Sequence, residues 1–91
     1  MNTLKHYSIQ VSGKVQGVFF RATTRKAAIE LGIAGWVRNE PDGTVQIEAE
    51  GSEEQLNQFL EFCRRGPERA IVDNVDYEER PLEDFKSFEV K

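Results

Sequence analysis

Two glycines, Gly13 and Gly17, and the arginine that follows them, Arg21, are the residues of this sequence best suited to phosphate chemistry. Glycines at this spacing let the backbone curl so that successive N–H groups point inward. The segment joins a predicted strand to a predicted helix, and the N-terminus of a helix attracts anions. A guanidinium beside it offers a planar fork that matches phosphoryl oxygens. These features predict a phosphate site, and the alternative interpretation is a tight turn without a ligand.

Known motifs of nucleotide-binding proteins do not fit this loop. The dinucleotide spacing G-x-G-x-x-G is absent, and no Gly-Lys-Ser/Thr follows the second glycine as a P-loop requires.

Cys63 and Arg69 do match the C-x5-R spacing of cysteine-dependent phosphatases. Those enzymes need their thiolate in a strand-to-helix loop, whereas Cys63 falls in the apolar stripe of a predicted helix. We therefore interpret Cys63 as a buried structural thiol.

Charge is distributed unevenly along the 91 residues. The net charge is −4, yet no acidic residue precedes Glu30, and that stretch contains five basic residues. An acidic chain binds nucleic acid poorly, so we expect no nucleic-acid partner. The acid-free stretch favours a local anion site. The alternative is a chance bias on a solvated surface.

Residue counts limit the other classes of site. One cysteine and one histidine cannot form a Cys/His zinc site or an internal disulfide, and we expect no metal. No apolar run approaches the roughly 18 residues of a membrane span, and no hydrophobic leader is present. We expect a cytoplasmic protein in which residues 1–91 form one domain. The single histidine, His6, lies at the far end of the first strand from the glycine loop and is not a predicted general base.

Apolar periodicity predicts the elements that must position these residues. A strand is followed by a helix over residues 20–31, and the inward residues of the strand are Tyr7, Ile9 and Val11. Strands over 36–39 and 45–50 flank the segment 40–43, which has the Pro-Asp-Gly composition of a tight turn. These two strands should pair as an antiparallel hairpin. Trp36 is predicted to lie in the core. On the third strand, the side chains that should point away from the core are Gln46, Glu48 and Glu50.

A second amphipathic helix begins with a capping box formed by Ser52 and Gln55. Its apolar stripe consists of Leu56, Phe59, Leu60 and Cys63. A fourth strand within residues 70–79 has apolar residues on both faces, which either a β-bulge or a late start of the strand would explain. Phe88 with Val90 predicts a short last strand. The element order is β-α-β-β-α-β with one additional strand. This order predicts an α+β, ferredoxin-like sandwich, in which an antiparallel sheet carries two helices on one face.

Two stretches of the sequence resemble the two motifs of the acylphosphatase family. Residues 11–21 read Val-Ser-Gly-Lys-Val-Gln-Gly-Val-Phe-Phe-Arg, which is similar to the first motif. Residues 35–39 read Gly-Trp-Val-Arg-Asn, which together with Gly43, Val45 and Gly51 is similar to the second. Both motifs occur without departure and in the order of the family. The ferredoxin-like fold that this resemblance implies agrees with the predicted elements.

The resemblance also implies an activity, the hydrolysis of the carboxyl-phosphate bond of acyl phosphates, without a metal or an organic cofactor. It implies that Arg21 binds the phosphate and that Asn39 orients the attacking water. The loop whose backbone N–H groups would hold the phosphate consists of Gln16, Gly17, Val18, Phe19 and Phe20. The expected partner is a small acyl phosphate, with inorganic phosphate as product and weak inhibitor. The expected state of the protein is a monomer.

The chemistry of acyl phosphates is compatible with these residues. Carboxylate is a good leaving group, so the protein mainly has to fix the phosphoryl group, neutralise its charge and aim one water in line. The amide of Asn39 both donates and accepts hydrogen bonds and therefore suits the water. The alternative is that Asn39 only shapes the turn that follows it.

Two other function classes are considered on the same fold. An RNA-binding module would stack bases on sheet aromatics, which the third strand lacks. A non-catalytic anion-binding domain stays open, because fold does not imply function. The presence of both Arg21 and Asn39 favours the enzyme.

Overall fold

The computed structural model describes residues 3–17 and 19–91, and over these residues two helices pack on one five-stranded sheet. The helices are α1 (Phe20–Leu31) and α2 (Glu53–Arg65). The strands are β1 (Leu4–Lys14), β2 (Ala34–Asn39), β3 (Val45–Ser52), β4 (Ile71–Arg80) and β5 (Phe88–Val90). They lie in the order β4-β1-β3-β2-β5. The predicted ferredoxin-like α+β fold is confirmed.

The inward residues of the two central strands face one another across the sheet. Strands β1 and β3 are antiparallel, and their facing pairs are Tyr7–Ala49, Ile9–Ile47 and Val11–Val45. All six side chains are buried. Because side chains alternate between the faces of a strand, this register sends the polar residues between them to the opposite face. The predicted period-two pattern therefore places the core on the face that the helices cover.

Both helices begin and end where their sequence signals predict. Helix α1 covers residues 20–31 and is followed by Gly32 at φ +75°. The capping box of α2 is present, because Ser52 Oγ accepts from Gln55 N and Gln55 Oε1 accepts from Ser52 N. The apolar stripe of α2 is fully buried, as predicted, at Leu56, Phe59, Leu60 and Cys63. Within the described part of the chain, neither helix has the length and apolar character that crossing a bilayer requires.

Strand β4 contains the bulge that its sequence pattern indicates. Its register with β1 shifts by one residue and leaves Asp73 unpaired. The extra residue brings Val72 onto the same face as Val75, and both pack against the core. Gly13 lies opposite the bulge at φ +123°, where a Cβ would come within 2.1 Å of the Ile71 carbonyl oxygen. Only glycine can occupy this position without moving the strand.

The last strand corrects the expectation of a wholly antiparallel sheet. Strand β5 pairs with β2 in parallel, so the sheet is mixed. Since β4 and β5 lie at opposite edges, residues 81–87, which we call the crossover, must span the sheet. Four strand spacings amount to about 19 Å. Seven extended residues reach about 24 Å, so the crossover runs almost straight over the face without helices, the open face.

Buried polar groups on the open face hold the crossover. The Glu50 carboxylate accepts hydrogen bonds from the backbone N–H groups of Glu83 and Phe85, and His6 Nδ1 lies 2.8 Å from the Pro81 carbonyl oxygen. Glu50 faces away from the helices as predicted, yet it is only 6% exposed. The crossover accounts for this burial, and the strand pattern of β3 alone does not indicate it.

Trp36 is not in the core, and the prediction for it is wrong. It pairs with Glu48 across β2 and β3 and therefore lies on the open face. Its ring contacts two cations, because the Arg38 guanidinium carbon is 4.8 Å and the Lys91 ammonium nitrogen 4.9 Å from the ring centroid. Such cation–π contacts cover the ring without placing it inside the protein.

Candidate functional site

The two helices differ in how their N-termini are satisfied. The N-cap of α2 is Ser52, which makes a side-chain hydrogen bond, and the first turn of α2 contains Glu53 and Glu54. The N-cap of α1 is Phe19, which has no side-chain cap, and its first turn contains no acidic residue. The free N–H groups of a helix and its dipole favour an anion at this end. Helix α1 therefore has the features of an anion site, whereas α2 is closed by its own side chains.

The segment before α1, residues 15–19, which we call the α1 loop, contains left-handed backbone. Gly17 has φ +73° and Phe19 has φ +61°. Glycine adopts this conformation freely, whereas for phenylalanine it costs roughly 1–2 kcal/mol. Left-handed residues turn N–H groups inward in anion-binding nests, and strained backbone clusters at binding sites. Val18, which is predicted to contribute an N–H group, lies outside the described residues.

A cleft of about 330 Å³ lies beside the α1 loop. Its lining includes five of the predicted site residues, namely Gly17, Phe19, Phe20, Arg21 and Asn39. The other lining residues are Val15, Ala22 and Val90. Sheet register explains why Asn39 reaches the cleft: it pairs with Val45 on β3, and Val45 pairs with Val11 near the end of β1. This row of three strands places the end of β2 next to the loop that follows β1.

Backbone oxygens of β5 and of the residue after it contact the arginines of α1. Arg21 is half-buried, and its Nη1 donates to the backbone oxygen of Lys91 at 3.1 Å. One turn further along, Arg25 Nε donates to the Phe88 carbonyl oxygen at 3.2 Å. Within residues 3–17 and 19–91, Arg21 forms no salt bridge. Its positive charge is therefore held at the cleft without an Asp or Glu side chain to neutralise it.

The amide of Asn39 has an unused acceptor. Asn39 is half-buried, and its Oδ1 is shielded from solvent without a hydrogen-bond partner among the described residues. A buried acceptor without a partner costs about 1–3 kcal/mol. A hydrogen-bond donor that enters the cleft with a ligand could relieve this cost.

The side chain of Gln16 does not join the lining of the cleft. Gln16 is predicted to bind phosphate through its backbone N–H, and its carboxamide instead contacts the turn after Asn39. Nε2 donates to the carbonyl oxygens of Glu40 and Thr44, at 2.8 Å each. The sequence did not predict this contact. Its only indication is that glutamine has two N–H donors on one nitrogen.

His6 and its neighbours lie elsewhere on the open face. His6 is 1% exposed, and its Nε2 lies 2.6 Å from Glu48 Oε1. Together with Glu83 these residues offer three potential metal-ligand atoms within 4.8 Å of one another. The other oxygen of Glu48 accepts from Ser8 and Gln46, at 2.7 Å each. The polar atoms of this cluster are therefore hydrogen-bonded to one another, and His6 also contacts the crossover at the Pro81 carbonyl oxygen.

Cys63 is buried in α2, as predicted. Its side chain is 0% exposed and belongs to the core cluster. Burial raises the pKa of the thiol from 9.0 to about 12, and nearby Arg64 lowers the pKa only in part. At neutral pH the sulfur is therefore a thiol and not the thiolate that a cysteine-dependent phosphatase needs.

Comparisons with known proteins agree with the two motifs. The acylphosphatase family model matches residues 7–90. An acylphosphatase of Marinobacter nauticus is 52% identical over 87 residues, which cover 94% of this chain and 95% of that protein. The structure of an acylphosphatase from Coxiella burnetii superposes with a TM-score of 0.95 at 42% identity, over 99% of this chain and 94% of that one. For the acylphosphatase of Bacillus subtilis the TM-score is 0.93 at 39% identity, over 98% and 99% of the two chains.

Proposed function

Because the chain belongs to the acylphosphatase family, hydrolases of phosphorus-containing acid anhydrides, we propose that it cleaves the carboxyl-phosphate bond of acyl phosphates in the cleft beside α1. One observation carries the proposal. The same cleft brings together the guanidinium of Arg21, the uncapped N-terminus of α1 and the amide of Asn39. These groups can bind a phosphoryl group and hold a water beside it.

The phosphoryl group binds at the N-terminus of α1. The backbone N–H groups of residues 16–20 donate to its oxygens, and Arg21 adds a charge-assisted contact. The described residues that line the cleft include no Asp or Glu, so no acidic side chain of that lining repels the substrate. The apolar side chains at the mouth, Phe19 and Val90, are exposed and leave room for the acyl group to point outward.

Asn39 positions the attacking water. Its amide accepts from the water, whose oxygen attacks phosphorus in line with the leaving carboxylate. The new P–O bond forms as the bond between phosphorus and the carboxyl oxygen breaks, and the electron pair leaves with the carboxylate. The proton of the water passes to a phosphoryl oxygen, since the described lining contains no His, Asp or Glu to take it. No step requires a metal or an organic cofactor.

The product remains in the same set of contacts. Inorganic phosphate keeps the oxygens that the α1 loop and Arg21 bind and lacks the acyl group, so it should inhibit weakly and competitively. In this scheme all contributing groups belong to one chain, so a monomer suffices.

Kinetics of the Asn39→Ala variant on a simple substrate such as acetyl phosphate test the proposal. We expect wild-type hydrolysis and a loss of roughly 10²- to 10³-fold in kcat for the variant, the usual size for one preorganised polar group. The inhibition constant of phosphate should change much less, because Arg21 and the α1 loop stay in place. The control is Asn57→Ala on the exposed surface of α2, which should keep normal kcat.

Two outcomes would contradict the proposal. A lower melting temperature of Asn39→Ala with normal kcat would mean that Asn39 only shapes its turn. A wild-type protein that binds phosphate without hydrolysing any acyl phosphate would instead favour the non-catalytic anion-binding domain.

A further inference from the structure

The side chain of Gln16 links two parts of the proposed site that are distant in sequence. Gln16 lies in the α1 loop, and the residues it contacts, Glu40 and Thr44, are 24 and 28 positions away. Those residues begin and end the hairpin turn (residues 40–44), which follows directly on Asn39. One carboxamide therefore joins the loop that would hold phosphate to the segment that carries the amide for the water.

The link is made at the two carbonyl oxygens that close the turn. Glu40 N donates to the Thr44 carbonyl oxygen at 2.9 Å, and Gly43 N donates to the Glu40 carbonyl oxygen at 3.1 Å. A carbonyl oxygen has two lone pairs, so each can accept a second hydrogen bond from Gln16. The Gln16 carboxamide therefore donates to the same two oxygens whose backbone hydrogen bonds close the turn.

The hairpin turn is itself stiff. Asp42 Oδ1 accepts from the backbone N and the hydroxyl of Thr44, at 3.0 and 2.6 Å. At its other end the Arg38 guanidinium binds the Glu40 carboxylate through two contacts of 3.2 and 3.3 Å. A displacement of the Gln16 contact would therefore be passed on to the adjoining end of β2, where Asn39 lies.

We propose that Gln16 is a positioning residue that keeps Asn39 in register with phosphate bound at α1, an inference that rests on the proposed function. Glutamine suits this task because one nitrogen supplies two N–H donors to two carbonyls. Asparagine is one methylene shorter, and glutamate would place carboxylate oxygens against both carbonyl oxygens. Since the carboxamide lies outside the described lining of the cleft, its effect on turnover passes through Asn39.

The test uses Gln16→Met, which keeps the length of the side chain and removes its donors, and Gln16→Glu, which reverses the polarity. The backbone N–H of residue 16 remains in both variants. A misplacement of about 1 Å costs up to roughly 10²-fold, so we expect kcat to fall about 10- to 100-fold. The inhibition constant of phosphate should stay within about 3-fold, because the phosphate contacts do not involve the carboxamide.

Gln10→Met is the matched control. Gln10 is a second glutamine that reaches the same turn, but its Nε2 contacts only the Thr44 hydroxyl, at 3.4 Å on the exposed surface. This variant should keep normal kcat. A loss of kcat equal to that of Gln16→Met would overturn the inference, since any disturbance of the turn would then suffice.

A double-mutant cycle identifies the route of the effect. If Gln16 acts through Asn39, adding Gln16→Met to Asn39→Ala should cost less than about 3-fold in kcat. A full second loss would show independent action and overturn the inference, as would normal kcat in the Gln16→Met single variant. Circular dichroism gives the folded fraction to which each kcat is referred, and Gln16→Ala replaces any Gln16→Met protein that does not fold.

The failure of this inference differs from the failure of the proposed function. A slow Asn39→Ala with a normal Gln16→Met would overturn the positioning role alone. A normal Asn39→Ala would overturn the role of Asn39 in the proposed function, and the role of Gln16 with it.

Discussion

At the residue scale, the proposed site relies on hydrogen-bonding groups whose geometry lysine or alanine cannot reproduce. Arg21 uses one N–H group to bind the backbone oxygen of Lys91, and a guanidinium has five N–H donors in a fixed fork. One contact can therefore orient the fork while others meet phosphoryl oxygens. Asn39 lines the same cleft, and its Oδ1 is an acceptor that has no hydrogen-bond partner among the residues that the structure describes.

Replacing Arg21 by lysine should lower kcat by roughly 10³-fold, because an ammonium cannot bind two phosphoryl oxygens as a fork does. Inhibition by phosphate should weaken as well. The matched control is Arg25→Lys on the same helix, whose guanidinium contacts the Phe88 carbonyl oxygen and lies outside the described lining of the cleft. A turnover of Arg21→Lys close to that of Arg25→Lys would contradict the assigned role.

The Cys63 thiol should resist alkylation in the folded protein, because burial raises its pKa to about 12. The unfolded thiol ionises from about pH 9, so the unfolded state loses its proton first as pH rises. The free energy of unfolding should therefore decline between pH 9 and pH 12, and Cys63→Ala should lack this part of the decline. Urea titrations at several pH values measure it. Rapid labelling of native protein, with loss of activity, would revive the cysteine-phosphatase interpretation.

At the element scale, the crossover determines which polar groups of the sheet are buried. It spans the open face because β4 and β5 lie at opposite edges. Beneath it, Glu50 satisfies two backbone N–H groups, and His6 contacts the Pro81 carbonyl oxygen. The crossover leads into β5, whose Phe88 contacts Arg25, and Lys91 directly after β5 contacts Arg21. The open face and the cleft are therefore connected through β5.

Glu50→Ala should lower the free energy of unfolding by about 2–4 kcal/mol, because it leaves two backbone N–H groups of the crossover without their acceptor. Chemical denaturation measures this change. The control is Glu89→Ala, which removes an exposed carboxylate from β5 and should change stability by less than about 0.5 kcal/mol. Equal stability of the two variants would mean that the Glu50 contacts do not hold the crossover.

At the scale of the whole molecule, the acidic residues lie largely outside the elements that form one side of the cleft. The acid-free first 29 residues contribute β1, the α1 loop and most of α1, which surround one side of the cleft. Apart from Glu30 near the end of α1, the acidic residues lie in later segments, such as the first turn of α2. A positive environment can therefore form at the cleft of a protein whose net charge is −4.

Chelators should leave both kcat and the melting temperature unchanged, because the proposed reaction uses an arginine, an amide and backbone donors. The potential ligand atoms of His6 and Glu48 already bind one another on the open face. Assays with and without EDTA, followed by added Mg²⁺, measure the effect. Activity that disappears with EDTA and returns with Mg²⁺ would contradict the metal-free mechanism.

Most of the fold could be predicted because its signals are local. Alternation at Tyr7, Ile9 and Val11 predicts the inward face of β1, and the capping box at Ser52 predicts the start of α2. Apolar residues on both faces of β4 indicate either a bulge or a late strand start, and the structure has a bulge at Asp73. Each of these features depends on residues within a few positions of one another.

The partners of individual side chains could not be predicted in the same way. Trp36 has the composition of a core residue, yet the register with β3 places it on the open face. Glu50 has the pattern of an exposed residue, yet the crossover buries it. Both outcomes depend on segments far away in the sequence.

The sequence by itself determined the elements, the core faces, the charge asymmetry and the residue types suited to phosphate, because periodicity, capping and turn chemistry act over a few residues. Only the tertiary structure decided that Asn39 meets Arg21 in one cleft and that Gln16 joins the α1 loop to the hairpin turn. Those contacts require the row of Val11, Val45 and Asn39 across three strands. The hairpin turn can set the register of β2 with β3, but the register of β1 with β3 depends on hydrophobic faces that are far apart in the sequence.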